Sequence, residues 1–202
     1  MIRAALFDIG NVILPFDFAP ALARLRARSR IHDPAAWQKL DALKYALEGG
    51  QIDRAAFITG VRHQVGFAGS DDEFVVIWSD IFSANPRMDA LIERLHGSGL
   101  PLYLLSNTSD IHVDAFRARY PVFGRFAGAV YSHEERLMKP DVEIFRRAIE
   151  RFALQPEETI YVDDLPPNVA AAAALGFVAL PYDHRAHAAF ECDLIARLGI
   201  DV

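Results

Sequence analysis

Polar side chains capable of chemistry stand directly after apolar segments of this sequence, where strands are predicted to end, or just before a predicted helix. They are Asp8, Ser106, Asn107, Lys139, Asp163 and Asp164. A carboxylate just beyond a buried strand is held rigidly at the strand's carboxyl end, where open α/β sheets bind ligands. We therefore expect these side chains to form one site.

Two of the carboxylates, Asp163 and Asp164, are adjacent in the sequence. Neighbouring carboxylates repel each other, which is costly unless a cation lies between them and Asp8. Hard oxygen ligands with octahedral geometry suit Mg²⁺. The alternative is that the pair only caps a helix beginning near Pro166, because Asp is favoured at that position.

Strands that would position these residues recur along the chain, and most are separated by helical patterns. The predicted strands lie at about 3–9, 101–106, 127–131, 159–163 and 177–181. This alternation is typical of βαβ units with right-handed crossovers. The predicted fold class is therefore α/β, with a Rossmann-like parallel sheet.

One long interval departs from the alternation. After the first strand come roughly 70 residues with no strand signal, before a helix at about 86–97. Helical patterns in it lie at about 19–30, 34–47, 53–65 and 71–83. Start and stop signals such as Asp33-Pro34 and Gly49-Gly50 support them. We predict an α/β core at 1–15 and 85–202 with an all-helical insert at 16–84, whose role is either functional or purely structural.

Four segments taken in order resemble the motifs of the haloacid dehalogenase superfamily, most of whose members are Mg²⁺-dependent phosphatases. They are Phe7-Asp8-Ile9-Gly10-Asn11-Val12, Leu105-Ser106-Asn107, Lys139-Pro140 and Val162-Asp163-Asp164. The resemblance extends from about residue 2 to about residue 183. Asp-x-Gly-Asn-Val at the front and Asp-Asp-x-x-x-Asn at the back are most similar to bacterial sugar-phosphate phosphatases of the α-D-glucose-1-phosphate phosphatase kind. The resemblance implies that the helical insert is a cap that closes over the site.

The resemblance also assigns metal ligands and a nucleophile. It implies that Asp8 attacks phosphorus and forms an aspartyl-phosphate intermediate. It makes Asp8 and Asp164 direct Mg²⁺ ligands, with the backbone carbonyl of Gly10 as a third ligand. It places Asp163 in the second coordination sphere, or joins it to the metal through water.

A phosphate monoester repels nucleophiles, so its site must supply positive charge and fixed donors. We predict that Asn11, Ser106 and Asn107 bind the phosphate, with Ser106 also counted as catalytic. Lys139 can neutralise both Asp8 and the transferring phosphate. The alternatives are ordinary turn residues and a surface lysine. Asn168 is either a hydrogen-bond partner supporting this site or a solvent-facing residue of a first helical turn.

Two positions depart from the family pattern. Gly10 stands where most such phosphatases carry a second Asp that protonates the leaving oxygen, and general acid–base catalysis contributes about 10²–10⁴ in rate. This favours a substrate with an easily displaced leaving group, such as a sugar C1 phosphate, or a proton donor from elsewhere. Asp17 is the nearest donor candidate in sequence; otherwise it is the N-cap of the first insert helix. Arg136 stands where relatives often carry Gly.

Two further segments have competing interpretations. The segment 48–54, with Gly49-Gly50, lies where relatives place substrate-reading residues, and it is either a loop that enters the site or a plain helix connection. His133 follows the third strand and either borders the site or is a packing residue. The seven histidines form no metal-spaced cluster.

The composition limits the possible partners and compartments. With 202 residues, 52% hydrophobic, the chain can bury one core and a small subdomain. A net charge of −6 argues against nucleic-acid binding. The single Cys192 excludes an intrachain disulfide and fits a reducing cytosol. Neither a signal peptide nor a membrane span is indicated. We expect a cytoplasmic protein without nucleic-acid, membrane or evident obligate protein partners.

The function that these patterns favour is a Mg²⁺-dependent phosphatase of a small phosphorylated metabolite, with a sugar phosphate as the preferred substrate. A phosphosugar mutase shares the aspartyl-phosphate step but depends on the Asp that Gly10 replaces. A dehalogenase needs no metal and leaves the adjacent carboxylates unexplained. From a different class, a regulatory protein that binds phosphorylated ligands without turning them over is the remaining alternative.

Overall fold

The sheet at the centre of the protein has five parallel strands in the order β3-β2-β1-β4-β5, in a computed structural model that describes residues 1–199. The strands are β1 Ala4–Phe7, β2 Leu102–Ser106, β3 Gly128–Tyr131, β4 Thr159–Asp163 and β5 Val178–Pro181. All five predicted strands are present, which confirms the α/β fold class and its parallel sheet.

The middle strand, β1, is buried along its whole length because helices cover both faces of the sheet. This explains why its sequence is an uninterrupted apolar run. Phe7 lies level with Leu104 of β2 and Val162 of β4. The residue after each strand therefore emerges at the same edge of the sheet, and the amide of Asp8 donates to the carbonyl of Val162 at 2.9 Å.

Eleven α-helices complete the described part of the chain. They are α1 Ala19–Ala27, α2 Pro34–Gln38, α3 Leu40–Glu48, α4 Arg54–Val65, α5 Asp71–Ser79, α6 Pro86–Gly97, α7 Asp110–Arg119, α8 Ser132–Glu135, α9 Val142–Phe152, α10 Pro166–Ala174 and α11 His187–Leu198. None of them is both long and apolar enough to cross a membrane.

The predicted helices of the insert are present with two differences. The pattern at 34–47 forms two helices, α2 and α3, interrupted at Lys39, whose backbone stays in the right-handed helical region. The pattern at 71–83 ends at Ser79, because the chain then pairs with the segment leaving β1. Phe82 forms an antiparallel bridge with Phe16, and the amide of Asp17 donates to the carbonyl of Ile81.

The helices α1 to α5 pack around buried side chains of their own, including Phe57, Phe74 and Trp78. Trp78 lies 5.0 Å from Phe57 between ring centroids. Ile111, on α7, contributes to this cluster from the sheet side. A separate apolar cluster is what an independent helical cap requires, and we use "the cap" for residues 16–84 while the division into core and cap remains a prediction.

Candidate active site

Asp8 lies at the carboxyl end of the middle strand, with 7% of its surface exposed. One carboxylate oxygen, Oδ1, is 2.8 Å from the ammonium nitrogen of Lys139. Burial raises the pKa of Asp8 to about 6, the charge of Lys139 opposes this shift, and the charge of Asp163 adds to it. The structure thus places a carboxylate beside a cation at the edge where ligands bind in open α/β sheets.

Lys139 is buried between two carboxylates, so the surface-lysine alternative is wrong. Its Nζ is 2.6 Å from Oδ2 of Asp163 as well as 2.8 Å from Asp8. Burial acts to lower the pKa of Lys139, but the charges of Asp8 and Asp163 outweigh it and the pKa is raised. The ammonium group therefore stays charged at this site.

The loop that carries Lys139 is held by the side chain of Asn107. The amide nitrogen Nδ2 of Asn107 donates to the Lys139 carbonyl at 2.9 Å, and the Lys139 amide donates to Oδ1 of Asn107 at 2.8 Å. The Asn107 side chain thus positions the lysine, and phosphate binding by the Asn107 backbone amide stays a prediction. Arg136 precedes this loop with φ of 56°, a left-handed conformation that Gly adopts readily, which explains why relatives can place Gly there.

Asp163 is fully buried, and both of its oxygens are already hydrogen-bonded. Oδ2 accepts from Lys139 and from the Tyr161 hydroxyl at 2.5 Å, and Oδ1 accepts from the Leu165 amide at 2.8 Å. Nδ2 of Asn168 lies 3.0 Å and 3.1 Å from the two oxygens. Asn168 is 3% exposed, so the solvent-facing alternative is wrong. Both oxygens of this carboxylate are therefore engaged by protein donors.

Asp164 differs from its neighbour because it is only half-buried and has one side-chain partner, Nδ2 of Asn11 at 3.2 Å. Burial raises its pKa. Asn11 has φ of 54°, a left-handed conformation that Asn tolerates. Its side chain therefore lies with the carboxylates.

Oxygens of Asp8, Asp163 and Asp164 lie within 4.8 Å of one another. Burial raises the pKa values of Asp8 and Asp164, and the charge of Asp163 adds to both shifts. A cation between them would offset these negative charges, and oxygen ligands suit Mg²⁺. The donor set therefore fits a hard divalent cation held by Asp8 and Asp164.

Ser106 ends β2 and is 3% exposed. Thr108, two residues later, donates its amide proton to the Ser132 hydroxyl at 2.9 Å. The carbonyl of Thr108 lies 3.0 Å from Nδ1 of His133, whose ring also stacks on Tyr131. His133 therefore packs behind the strand ends and does not line the site, so it is a packing histidine.

A cavity of about 170 Å³ opens over these residues, between the sheet edge and the cap. Eight of the nine predicted site residues line it, and Asp163 lies beneath them. The eight are Asp8, Gly10, Asn11, Ser106, Asn107, Lys139, Asp164 and Asn168. The structure therefore brings these residues together at one place.

The position of the missing acid–base residue is filled by an aromatic ring. A Cβ built on Gly10 would lie 2.9 Å from Cε1 of Phe16. Asp17, the proposed donor, is exposed and accepts a hydrogen bond from the Ala19 amide at 2.8 Å. The N-cap of α1 is Phe18, so Asp17 lies one residue before it and does not line the cavity.

Two charged cap residues face the cavity, Glu48 from the predicted segment 48–54 and Lys44, which the sequence analysis did not single out. Burial raises the pKa of Glu48 to about 7, and the charge of Lys44 opposes the shift. Gly49 and Gly50 follow Glu48 and pack against the core, so this segment reaches the site and is more than a helix connection. The predicted loop at 48–54 included Glu48, whereas Lys44 lay inside the predicted helix at 34–47 and carried no such signal.

A smaller cavity of about 60 Å³ continues from the site between cap and core. Its walls are mainly apolar and include Phe16, Phe18, Ile81 and Phe82. His112 also lines it, with Nε2 at 3.2 Å from the Trp78 carbonyl. Burial lowers the pKa of His112 to about 4, so the ring is neutral at pH 7.

Comparisons with known proteins agree on one family. Residues 2–176 match the hydrolase family described as haloacid dehalogenase-like hydrolase. The chain is 26% identical to sesquiterpene phosphatase astK of Aspergillus oryzae, over 88% of each chain. It is 25% identical to hexitol phosphatase A of Escherichia coli, over 86% of this chain and 80% of the relative.

The fold is shared with a solved enzyme. The structure of HAD family enzyme bt-2542 from Bacteroides thetaiotaomicron, in complex with magnesium and inorganic phosphate, superposes with a TM-score of 0.83. The two sequences are 26% identical, and the match covers 91% of this chain and 96% of that one.

Proposed function

The chain belongs to the haloacid dehalogenase-like hydrolase family, and from that premise we propose that it is a Mg²⁺-dependent phosphatase of a small phosphorylated metabolite. Membership confirms the resemblance drawn from the four sequence motifs. The observation that carries the proposal is Asp8, held at the central strand end with Lys139 at 2.8 Å and the half-buried Asp164 beside it.

In the proposed reaction the carboxylate of Asp8 attacks phosphorus and forms an aspartyl-phosphate intermediate, which water then hydrolyses. Lys139 is charged and rigidly held, so it offsets the negative charges of the carboxylate and of the approaching phosphate. Ser106 and the backbone amide of Asn107 would donate hydrogen bonds to the phosphoryl oxygens, because both residues line the same cavity.

We infer that Asp8, Asp164 and the carbonyl of Gly10 would hold Mg²⁺, while Asp163 orients Lys139. When bound, the ion would supply positive charge for the phosphoryl oxygens. The relative bt-2542, solved with magnesium and inorganic phosphate, supports this choice of cofactor. A dehalogenase needs no such ion, and the acidic cluster argues against that alternative.

The two phosphatase relatives favour hydrolysis over transfer or simple binding. A phosphosugar mutase depends on an Asp at the position of Gly10. Here Phe16 fills the space that an Asp side chain would need. A regulatory protein that only binds phosphorylated ligands would not require a buried carboxylate nucleophile beside a buried lysine. Phosphate monoester hydrolysis accounts for all of them.

The finer substrate proposal is a sugar phosphate, as the motif pattern suggests and as the hexitol phosphatase relative supports. The smaller cavity favours a second candidate, an apolar alcohol phosphate, because Phe16, Phe18 and Phe82 offer few partners for hydroxyl groups. The sesquiterpene phosphatase relative supports this candidate. Both candidates share the same reaction at phosphorus.

The experiment that tests the function is an assay of purified protein with 4-nitrophenyl phosphate, with and without Mg²⁺. We expect metal-dependent turnover that Asp8→Asn abolishes while the fold is retained, and a beryllofluoride adduct on Asp8. Wild-type turnover by Asp8→Asn would overturn the nucleophile. A parallel screen of sugar phosphates against prenyl and alkyl phosphates, compared by kcat/KM, decides the substrate class.

A further inference from the structure

The proposed phosphatase reaction lacks a proton donor for the leaving oxygen, and this inference rests on that reaction. Gly10 has no side chain, and the ring of Phe16 lies where one would project. Alcohol leaving groups depart slowly as alkoxides, so a positioned acid matters for them. The donor must therefore come from another residue that faces the cavity.

Glu48 meets that requirement by position. It is the last residue of α3, and it lines both the cavity above Asp8 and the apolar cavity beside it. Gly10 and Ser106 line the same two cavities from the core side. Glu48 on the cap and Gly10 on the core therefore line the same cavities.

The core holds this part of the cap in place. The hydroxyl of Ser132 donates to the carbonyl of Glu48 at 2.5 Å, and the same hydroxyl accepts from the Thr108 amide. Gly50 has φ of +64°, and a Cβ there would come within 2.3 Å of the His133 carbonyl oxygen. A close approach that only Gly permits thus fixes the cap segment against the core.

Two other titratable groups near the cavity fit the role less well. His112 is neutral, and its Nε2 is engaged with the Trp78 carbonyl. Asp17 is exposed and is hydrogen-bonded to the Ala19 amide. In contrast, no hydrogen bond or ion pair of the Glu48 carboxyl is found among residues 1–199, which leaves it free to contact a substrate.

We propose that the carboxyl group of Glu48 is the general acid and base of this enzyme, acting from the cap in place of a side chain at Gly10.

The proton balance is simple. As Asp8 forms its bond to phosphorus, the bond from phosphorus to the leaving oxygen breaks, and the electron pair on that oxygen takes the proton of Glu48. The alcohol leaves, and Glu48 is now a carboxylate. It then accepts a proton from the water that attacks the aspartyl phosphate, which releases inorganic phosphate and restores both residues.

The environment of Glu48 is compatible with both the protonated and the ionised form of its carboxyl group. Burial raises its pKa to about 7, so protonated and ionised forms are both accessible at neutral pH. Lys44 lies one turn away on the same helix and favours the ionised form. The charged groups that face the cavity from the core are Asp8, Lys139 and Asp164.

The test compares Glu48→Gln with Asp41→Asn, a control on the exposed side of the same helix. First-turnover rates are measured with 2,4-dinitrophenyl, 4-nitrophenyl, phenyl and alkyl phosphates. We expect Glu48→Gln to lose about 10²–10⁴ in rate on the alkyl phosphate and less than about tenfold on the dinitrophenyl ester, which needs little protonation. Dinitrophenol should appear as a burst followed by slow turnover, since hydrolysis of the intermediate also loses its base.

Equal losses on all four substrates, or no loss, would overturn the role of Glu48. Glu48→Asp should recover part of the alkyl phosphate activity, and Asp41→Asn should match the wild type. If the wild-type protein hydrolysed none of the esters, the proposed phosphatase function itself would fail, so the two failures are distinguishable.

Discussion

Lys139 and Asp163 form a buried ion pair, with Nζ of the lysine 2.6 Å from Oδ2 of the aspartate. The two residues are 24 positions apart and belong to different motifs of the sequence. Tyr161 and Asn168 complete the shell of Asp163 with further hydrogen bonds. The ion pair holds the Lys139 ammonium group against Asp8. Asp163 thus positions the cation that offsets the negative charge of Asp8.

Replacing the lysine should be costly for stability as well as activity. Lys139→Met leaves the buried charges of Asp8 and Asp163 without their cation, and breaking a buried pair this way costs about 3–5 kcal/mol. Urea unfolding measures this loss. Lys39→Met, at an exposed position, is the control and should change the free energy of unfolding by less than about 0.5 kcal/mol. A loss below about 1 kcal/mol for Lys139→Met would contradict the interpretation.

Removal of the metal should stop turnover. We expect excess EDTA to abolish phosphatase activity and added Mg²⁺ to restore it. Asp164→Asn should reduce activity at least tenfold and weaken Mg²⁺ binding in calorimetry, because Asp164 is the carboxylate with oxygens to spare. Asp72→Asn, on the exposed surface of the cap, should leave both quantities unchanged. Full activity in EDTA would refute the metal assignment.

Placing an Asp at position 10 should require Phe16 to move. Its ring lies 2.9 Å from a Cβ at Gly10, and overpacking typically costs about 1–3 kcal/mol. Phe16 is 40% exposed and can swing outward, so the low end of that range is expected. Gly10→Asp should cost less in a Phe16→Ala background, as thermal unfolding would show. Equal costs in both backgrounds would mean that Phe16 is not the obstacle.

In the Glu48→Gln background, the pair Gly10→Asp with Phe16→Ala should restore part of the activity on alkyl phosphates. The introduced carboxyl would then stand where most relatives carry their acid. An unchanged first-turnover rate would show that the new side chain does not reach the leaving oxygen.

The stability of the protein should depend on pH through Glu48. Its pKa is raised from 4.5 to about 7 in the folded state, so folding is favoured by the protonated form. That stability is present below pH 4.5 and is lost as pH rises through 7. The free energy of unfolding of Glu48→Gln, measured relative to that of the wild type, should therefore rise by about 1–3 kcal/mol from pH 4.5 to pH 8. Denaturant unfolding at both pH values measures the difference, and Asp41→Asn should show none.

The strands and the order of the motifs are predictable from the sequence because they depend on local patterns. A parallel strand buried on both faces must be apolar along its length, so runs such as Ala4–Phe7 are recognisable without a structure. The residue after each run then lies at the ligand-binding edge. This reasoning brought Asp8, Ser106 and Asp164 to one site and named Mg²⁺ as the fitting cation.

Helix boundaries and side-chain partners were less predictable. The helix pattern at 71–83 carried no sign that the chain after Ser79 would turn to pair with the segment at Phe16. Likewise, nothing in the sequence indicated that the Asn107 side chain holds the Lys139 loop, 32 residues away.

Tertiary structure decides the different environments of Asp163 and Asp164. Asp163 and Asp164 are chemically identical and adjacent, but Asp163 is surrounded by donors from Lys139 and Asn168 whereas Asp164 is half-buried with one side-chain partner. Asp163 is the last residue of β4 and Asp164 lies just beyond the strand, and their hydrogen-bond partners come from distant segments. The raised pKa of Glu48 has the same origin, because packing of the cap on the core removes its water. Local sequence patterns determine which elements form and in what order, while burial and long-range hydrogen bonds determine the role of each polar group.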